Sequence, residues 1–381
     1  MERIGIYGGS FNPPHMGHVC AAQYGIAKLG LSKMLIVPSS ISPHKQGDTP
    51  VDGKHRIKML QLAFAETENI IISDIELSRG GVSYTADTLA EIRMQYPDAE
   101  MILFMGDDTF GNLHGWYRVE DIKAAASIAV FCRNATEELQ LPGAKVYELE
   151  NPVTEISSSD LRRMLVFGCA SPFLGSGTED YIRRNGLYDT DKSFKSLPLE
   201  ALKEAVCSLV KPQRIPHILG CYEEAVKLAH HWGAEETDAA RAALLHDITK
   251  ALDGPHQLTL LQEYGIIPDD FSKENPKTIH ALTGSLVAER IFGENERVCQ
   301  AIAWHTTSKE NMNLLEKIIY VADYMEPNRN FPGVEALRKA AYENIDKALQ
   351  MGLEMTLSHL NKQGSQISPY SQAALAYLKN S

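Results

Sequence analysis

The sequence predicts an α/β protein with a doubly wound parallel sheet in its first half, followed by an all-α second half. Up to about residue 190, short β-rich runs alternate with helix-length amphipathic segments, as in βαβ units. Beyond the polar stretch 188–195, apolar residues recur with helical spacing and no convincing strand is found. A strand-rich segment followed by a helix-rich one is typical of two domains, which we place at 1–190 and 191–381.

The elements follow from these patterns. The predicted strands span 4–8, 34–37, 70–73, 101–105, 127–131 and 145–148. Between them, one helix over 17–29 ends at Gly30 and another over 85–96 ends before Pro97. In the second half, helices are predicted over 199–209, 216–232, 235–252, 278–292, 311–325 and 334–360.

Composition excludes several classes of function. The 381 residues include 37 Lys and Arg against 49 Asp and Glu, and both halves are acidic, so a broad basic surface for nucleic acid is not expected. The six cysteines are scattered without a C-x-x-C pair, and no apolar run has the length of a membrane span. We therefore predict a cytoplasmic protein that binds small molecules but neither nucleic acid nor membranes. Homo-oligomerisation stays open.

The strongest local motif, GGSFNPPHMGH over 8–18, follows the first strand and opens the first helix. Glycines allow close approach of a ligand to the backbone, and the free N–H groups of a helix start attract phosphate. Two prolines stiffen the turn and thereby aim His15 and His18. The alternative is a turn whose histidines merely cap the helix, but the whole H-x-G-H block favours phosphate binding.

This block resembles the (H/T)-x-G-H motif of the adenylyl- and cytidylyltransferase superfamily. The segments SPHK (42–45), SYTADTL (83–89), GDD (106–108) through Trp116, and ISSSDLR (156–162) are similar to bacterial nicotinate-nucleotide adenylyltransferases. The resemblance covers nearly all of 1–190. It departs mildly at Ser42, Asn134 and Ser159, where the family usually has Pro, Pro and Thr.

The resemblance implies that nicotinate mononucleotide attacks the α-phosphate of ATP, which releases pyrophosphate and forms nicotinate adenine dinucleotide. Because the nucleophile is already a phosphate, catalysis rests on positioning and charge stabilisation, assisted by Mg²⁺ bound with ATP. The resemblance assigns phosphate stabilisation to His15, His18 and Lys45. It assigns substrate binding to Gly8, Gly9, Ser10, Phe11, Thr85, Asp107, Trp116, Arg133, Ser158 and Arg162.

Within this set, Ser158 and Arg162 are implied to bind ATP from a second helix start, and Thr85 and Trp116 to hold the nicotinate moiety. Two alternatives stay open: Thr85 is only a helix cap, or Trp116 is only a core residue. A related transferase acting on phosphopantetheine is a rival for the whole half. The 83–89 segment and Trp116 favour the nicotinate interpretation.

The second half concentrates potential metal ligands on predicted helices. Asp323 falls on an apolar stripe, where an unpaired carboxylate is strongly disfavoured and a cation partner is expected. The other candidates are His217, His246, Asp247, His280 and His305. Imidazole and carboxylate ligands from separate helices suit iron, manganese or zinc. Outside this pattern, we predict His230, His231 and His256 at the surface.

The order His, His-Asp, His, His, Asp resembles the HD phosphohydrolase superfamily. The segments RIPH (214–217), ALLHDITK (243–250), WHTT (304–307) and ADYMEPNR (322–329) are similar to the YqeK-type HD hydrolases, over about 195–378. That resemblance implies iron-dependent symmetrical cleavage of diadenosine tetraphosphate to two ADP.

By this resemblance the primary metal ligands are His217, His246, Asp247 and Asp323. His280 and His305 bind a second metal or the substrate phosphates, and Thr306 and Arg329 also contact phosphate. The metal would acidify a bound water, and Asp247 would also orient this nucleophile. Lys250 either faces the same phosphates or is a solvated lysine.

The combined hypothesis is a bifunctional enzyme. Two alternatives concern the second half, which either hydrolyses another nucleotide phosphoester or serves as a non-catalytic metal or nucleotide sensor. The ligand set argues against a sensor, because a pure binding module needs no open metal positions.

Overall fold

The computed structural model describes residues 2–43, 50–132, 139–150 and 156–380. Two predicted site residues, Lys45 and Arg133, lie outside these ranges. The chain divides into two compact units. One consists of 1–165 with 170–191, and the other of 166–169 with 192–381.

Over its described residues, the first unit is built on a six-stranded parallel sheet, which confirms the predicted doubly wound α/β fold. Its strands are β1 (Arg3–Gly9), β2 (Lys33–Pro38), β3 (Ile70–Ile72), β4 (Glu100–Gly106), β5 (Ser127–Cys132) and β6 (Val146–Glu150). They are ordered β3-β2-β1-β4-β5-β6, and each neighbouring pair is parallel. The strand order reverses direction between β1 and β4, so a crevice opens at the carboxyl ends of these strands.

Helices cover both faces of this sheet. They are α1 (Met16–Leu29), α2 (Gly53–Ala63), α3 (Ile75–Arg79), α4 (Thr85–Gln95), α5 (Asp107–Phe110), α6 (Val119–Ala125), α7 (Ser158–Phe167) and α8 (Thr178–Arg184). Because successive strand residues point to opposite faces, Ile4 joins one apolar core and Met34 the other. Gly25 lets α1 approach the sheet closely, since a Cβ there would lie 2.5 Å from the Phe104 ring.

The second unit is helical throughout its described residues, as predicted. Its helices are α9 (Leu199–Leu209), α10 (Ile215–Trp232), α11 (Glu236–Leu245), α12 (Gly254–Glu263), α13 (Asp270–Glu274), α14 (Pro276–Val287), α15 (Glu296–Trp304), α16 (Leu314–Met325), α17 (Val334–Glu343), α18 (Ile345–Lys362) and α19 (Pro369–Asn380). A π-helical segment, Ala288–Phe292, continues α14. Among the described residues, no helix combines the length and apolarity needed to cross a bilayer.

The predicted helix over 235–252 is wrong beyond Leu245. The chain there forms consecutive turns, in which the Ile248 N–H donates to the Leu245 carbonyl at 3.1 Å and the Lys250 N–H to the Asp247 carbonyl at 2.9 Å. The Thr249 hydroxyl donates to the backbone carbonyl of His280 on α14 at 3.1 Å. This tertiary bond holds the turn and overrides helical periodicity.

Asparagine caps explain two further corrections. Asn344 is extended and its side chain accepts from the Lys347 N–H at 3.0 Å, so the predicted helix over 334–360 is two helices. The helix predicted over 311–325 begins only at α16, where Asn313 and Glu316 form a reciprocal capping box.

The predicted surface position of His256 is wrong. This residue is buried in the first turn of α12.

Candidate functional sites

The crevice of the first unit opens above two glycines. A Cβ added to Gly8, near the end of β1, or to Gly106, at the end of β4, would meet no atom of the described residues within 4 Å. The protein's own packing therefore does not require glycine at either position, and both leave room for a ligand close to the backbone. Asp107 follows directly and begins α5. Gly9 differs, because its Cβ would lie 3.1 Å from the buried ring of Phe11.

His15 and His18 lie side by side at the start of α1. Their ring centroids are 3.7 Å apart, and the His15 backbone N–H donates to His18 Nδ1 at 3.2 Å. A neutral His18 ring therefore carries its proton at Nε2. His15 is buried, its Nδ1 has no hydrogen-bond partner among the described residues, and burial lowers its pKa to about 4. The bond from the His15 N–H to His18 Nδ1 is the bond of a capping box, so His18 also caps the start of α1.

Ser158 and Arg162 contact the loop that carries the histidines. The Ser158 hydroxyl donates to the Pro13 carbonyl at 3.0 Å, and Arg162 Nη1 donates to the Asn12 carbonyl at 2.8 Å. Both residues therefore reach the predicted site from α7. In this structure they hold its backbone.

Two further residues fix the same loop. Arg56 on α2 is only 2% exposed and donates to the carbonyls of Ser10 and Ser39, at 3.0 and 2.7 Å. The Tyr188 hydroxyl lies 2.8 Å from Asn12 Oδ1. The loop is therefore held from several directions, which preorganises the histidines before a ligand arrives.

The two residues predicted at the nicotinate end lie on adjoining segments. Thr85 is the first residue of α4 and is half-buried. Trp116 packs against an apolar core of the sheet and also remains half-buried. Their sequence neighbours join the segments, because the rings of Tyr84 and Tyr117 are 4.6 Å apart. Because Trp116 packs against the core and is only half-buried, a core role does not exclude the predicted role in binding.

The second unit gathers its predicted ligands at one place. We call the first group, His217, His246, Asp247 and Asp323, cluster A. His217 Nε2 lies 3.2 Å from both His246 Nε2 and Asp323 Oδ1, and 3.7 Å from Asp247 Oδ2. These residues come from α10, the turn after α11, and α16. Three separate parts of the fold thus aim their donor atoms at one point.

We call Asp247, His280 and His305 cluster B. The two imidazole Nε2 atoms are 3.2 Å apart and lie 3.3 and 3.8 Å from Asp247 Oδ1. The other carboxylate oxygen of Asp247, Oδ2, faces cluster A. Asp247 therefore bridges the clusters, with one oxygen directed to each.

The histidine tautomers fit a cation. In His246, His280 and His305, Nδ1 lies 2.7–2.8 Å from a backbone carbonyl three residues earlier. A carbonyl only accepts, so each neutral ring carries its proton at Nδ1 and leaves Nε2 as an acceptor. Burial is the main cause that lowers the pKa of His280 and of His305 to about 3. The acceptor nitrogens of His280 and His305, 3.2 Å apart, repel each other, and a cation held by both residues would remove that repulsion.

Polar residues line the edge of cluster B. The Thr306 hydroxyl lies 3.1 Å from His305 Nε2, and Lys250 Nζ lies 2.9 Å from His280 Nε2. Lys250 thus faces the cluster, although its side chain is 37% exposed. Burial lowers its pKa to about 8.

Two arginines contact the carboxylates of the clusters. Arg329 Nη2 donates to Asp323 Oδ1 at 2.9 Å, and Arg214 contacts Asp247 Oδ2. Arg329 therefore lies beside the site, as its predicted phosphate-binding role requires. In this structure it pairs with Asp323, one of the predicted metal ligands.

A buried carboxylate supports His217 from behind. Glu326 is 1% exposed, and its Oε1 lies 3.2 Å from His217 Nδ1. Its other oxygen accepts from the Asn328 backbone and side chain at 2.7 and 2.9 Å. Gly220 makes room, since a Cβ there would lie 2.5 Å from Glu326 Oε2. This arrangement is the carboxylate–histidine pair that orients a metal-binding imidazole.

Comparison with known proteins assigns a family to each unit. Residues 6–164 match the cytidylyltransferase-like family, and residues 214–328 match the HD domain family. The chain is 36% identical over 199 residues to a probable nicotinate-nucleotide adenylyltransferase of Thermomicrobium roseum, which covers 50% of this chain and 93% of the relative. A relative with the same description from Shouchella clausii is 34% identical, with 49% and 97% covered.

The second unit has its own relatives. Over 166 residues the chain is 40% identical to a symmetrical bis(5'-nucleosyl)-tetraphosphatase of Halalkalibacterium halodurans, which covers 42% of this chain and 88% of the relative. The chain belongs to the nicotinate-nucleotide adenylyltransferase family and to the HD-domain hydrolase family. The two resemblances found in the sequence are thereby confirmed as a fusion of an adenylyltransferase unit with an HD hydrolase unit.

Sequence reasoning missed residues that act through others. Arg56 of the adenylyltransferase unit donates to backbone carbonyls, and Glu326 of the HD unit lies beside His217 Nδ1. Glu326 belongs to the 322–329 segment, which was its available signal, whereas the local pattern around Arg56 offers none. Only the fold identifies the partners of both residues.

In the adenylyltransferase unit, Gly8→Ala is expected to raise the KM for ATP about tenfold or more and to leave the melting temperature unchanged. The added methyl group enters the crevice and, among the residues that the structure describes, contacts no atom within 4 Å. Gly25→Ala is the matched control. Its methyl group would overlap Phe104 and lower the free energy of unfolding by about 1–3 kcal/mol. Steady-state kinetics and thermal unfolding check both variants. A Gly8→Ala protein that is less stable than the parent would contradict the assignment of Gly8 to the ligand-binding crevice.

In the HD unit, Glu326→Gln is expected to weaken divalent-metal affinity about 10- to 100-fold, because the amide no longer offers a charged acceptor to His217 Nδ1. Calorimetric titration of the chelator-treated protein with Mn²⁺ measures this change. Glu343→Gln, on an exposed carboxylate, is the control and should bind as the parent does. Equal affinities for all three proteins would exclude this role for Glu326.

Proposed function

We propose that the adenylyltransferase unit transfers AMP from ATP to nicotinate mononucleotide, with release of pyrophosphate and formation of nicotinate adenine dinucleotide. The observation that carries this proposal is the open crevice above Gly8 and Gly106, which adjoins the preorganised His15–His18 pair. The names of the relatives that match nearly their full length support the same substrates.

In this proposal the chain supplies geometry and charge rather than a nucleophile. The start of α1 and the two histidines stabilise the negative charge that develops on the ATP phosphates. Ser158 and Arg162 bind ATP from α7 and keep the loop in place, while Thr85 and Trp116 orient the nicotinate ring. Lys45 and Arg133 add positive charge to the same phosphates, and Mg²⁺ enters with ATP.

Pyrophosphate release tests this function. The full-length protein is incubated with Mg²⁺ and ATP, together with nicotinate mononucleotide, nicotinamide mononucleotide or phosphopantetheine. Rapid release with nicotinate mononucleotide alone supports the proposal. Preference for phosphopantetheine would assign the unit to the related transferase, and equal use of both mononucleotides would exclude selection of the nicotinate carboxylate.

We propose that the HD unit hydrolyses diadenosine tetraphosphate symmetrically to two ADP, with iron, or else manganese or zinc, as the metal. The carrying observation is Asp247, whose two oxygens face cluster A and cluster B. His217, His246 and Asp323 would complete the first position, and His280 and His305 the second. A bound metal supplies Lewis acidity and lowers the pKa of a water ligand.

The chain's own residues then position the substrate. Thr306 and Lys250 lie at the edge of cluster B and can donate hydrogen bonds to a polyphosphate. Arg329 exchanges part of its contact with Asp323 for a phosphate oxygen. The tetraphosphatase that matches at 40% identity supports this substrate class.

Product analysis tests the hydrolase. The full-length protein is loaded anaerobically with Fe²⁺, mixed with diadenosine tetraphosphate, and the nucleotides are separated chromatographically. ADP alone supports symmetrical cleavage. ATP with AMP would overturn the position of attack, and no turnover despite bound iron would point to another phosphoester or to a sensor.

We also propose that the protein works in the reducing cytoplasm. The six cysteines all lie in the described ranges and form no disulfide bond with one another, which is the usual state in that compartment. Titration of thiols in freshly isolated, denatured protein should find six. A disulfide would contradict this placement.

A further inference from the structure

We infer that a cavity next to Asp323 of cluster A binds one nucleoside of the dinucleotide substrate. This role rests on the proposed hydrolase function and extends it from the phosphates to the bases. Thr306, Lys250 and Arg329 offer hydrogen bonds and charge to phosphates, so a base needs a contact surface of its own. The cavity lies between α18 and the loop that follows α16.

The size and wall of the cavity suit a small organic molecule. Its volume is about 780 Å³, and small-molecule sites usually have about 300–1,000 Å³. Apolar residues from α16, the following loop and α18 form much of the wall, namely Tyr324, Phe331, Pro332, Met351 and Met355. Methionine side chains are flexible and polarizable, so they adapt to the shape of a ligand.

Two aromatic rings form a corner in this wall. The ring centroids of Tyr324 and Phe331 are 5.4 Å apart, and their planes meet at 84°. A flat base that stacks on one ring contacts the other by its edge, and both arrangements are favourable for aromatic pairs. Tyr320 is buried and lies parallel to Tyr324, with the ring centroids 6.3 Å apart, so it supports that ring. Every nucleobase has a face that can stack in such a corner.

The aromatic corner is close to the residues that face the phosphates. Tyr324 follows Asp323 directly in the chain, and Phe331 lies two residues after Arg329. Because consecutive Cα atoms are about 3.8 Å apart, the Cα atoms of Arg329 and Phe331 are at most about 7.6 Å apart. Burial raises the pKa of Tyr324, and the charges of Arg329 and Asp323 also act on this pKa. A phosphate held at Arg329 therefore has its nucleoside within reach of the corner.

The charged residues of the wall fit a nucleotide. Lys362, the last residue of α18, adds a positive charge to the wall. The acidic residue of the wall, Glu354, pairs with Lys379 on α19, whose Nζ lies 3.0 Å from Glu354 Oε1. The wall as a whole therefore does not repel an anionic substrate.

The competing interpretation is a gap between a helix and a loop that binds nothing. A gap of that kind gives no reason for two aromatic rings to line an opening next to Asp323, because exposed apolar surface normally marks a binding site. A nucleoside covers these rings and explains their position.

Photolabelling locates the nucleoside without relying on turnover. The full-length protein, loaded anaerobically with Fe²⁺, is irradiated with 2-azidoadenosine diphosphate and digested, and the labelled peptides are identified by mass spectrometry. We expect label within 324–362 that excess diadenosine tetraphosphate prevents. Label in the adenylyltransferase unit falls on other peptides and does not interfere.

Ser358→Phe tests the cavity by filling it. Ser358 lines the cavity and is exposed, so the larger side chain occupies this space without entering the core. We expect kcat/KM for diadenosine tetraphosphate to fall about tenfold or more, and the inhibition constant of ADP to rise by a similar factor. The inhibition constant of pyrophosphate, measured at constant free Fe²⁺, should stay unchanged because pyrophosphate has no nucleoside. Phe331→Ala, which removes one ring of the corner, should act in the same direction.

Asn361→Phe is the matched control, since Asn361 is exposed on the same helix and does not line the cavity. It should behave as the parent does. Absence of label within 324–362 would overturn the nucleoside site, as would a Ser358→Phe protein that binds ADP as tightly as the control. An equal loss of ADP and pyrophosphate inhibition would also overturn it. A parent that takes label within 324–362 but does not hydrolyse diadenosine tetraphosphate would support the nucleoside site and reject the proposed substrate.

Discussion

Replacing His18 with alanine is expected to lower kcat for adenylyl transfer about 10²- to 10³-fold. The bond from the His15 N–H to His18 Nδ1 sets the orientation of the ring and places the proton of the neutral ring on Nε2, from which it would donate to developing phosphate charge. Removing one preorganised donor from a site of this kind typically has an effect of this size. Initial rates of pyrophosphate release at saturating ATP and nicotinate mononucleotide measure it.

The fusion supplies an internal control for this variant. Hydrolysis of diadenosine tetraphosphate by the same preparation should be unchanged, because His18 belongs to the other unit. His230→Ala removes an exposed histidine paired with Glu236 and should leave both activities at the parental level. A His18→Ala protein that retains most of its kcat would show that the histidine pair serves only the structure of the turn.

Asp247→Asn is expected to lower the hydrolytic rate about 10³-fold, which corresponds to about 4 kcal/mol. Asparagine preserves the shape but offers one oxygen instead of two, so it cannot serve clusters A and B together. It also lacks the charge that balances a divalent ion. The measurements are the rate of ADP formation and the metal content per chain.

The control for this variant is Asp270→Asn, on a carboxylate that is 95% exposed. It should keep the parental metal content and rate. Adenylyl transfer should be unchanged in both proteins. If Asp247→Asn also lowered adenylyl transfer, the HD unit would act as a sensor that regulates the adenylyltransferase unit, and not as an independent hydrolase.

The sequence predicted the classes of both units because local patterns determine them. Each of the six strands was predicted within two residues of its ends, since buried parallel strands appear as short apolar runs between helical segments. The candidate sites stood out in the sequence where potential ligands lie close together in the chain, as His15 and His18 do, or His246 and Asp247. Helix boundaries were less accurate where Asn344 and Thr249 form bonds that periodicity does not reveal.

The sequence by itself therefore determined the two fold classes and named the main candidate ligands. The tertiary structure decided that the two oxygens of Asp247 face two clusters and that Lys250 faces one of them. Those relations join residues that lie far apart in the chain. Helix packing sets such distances, and neither spacing nor composition encodes them directly.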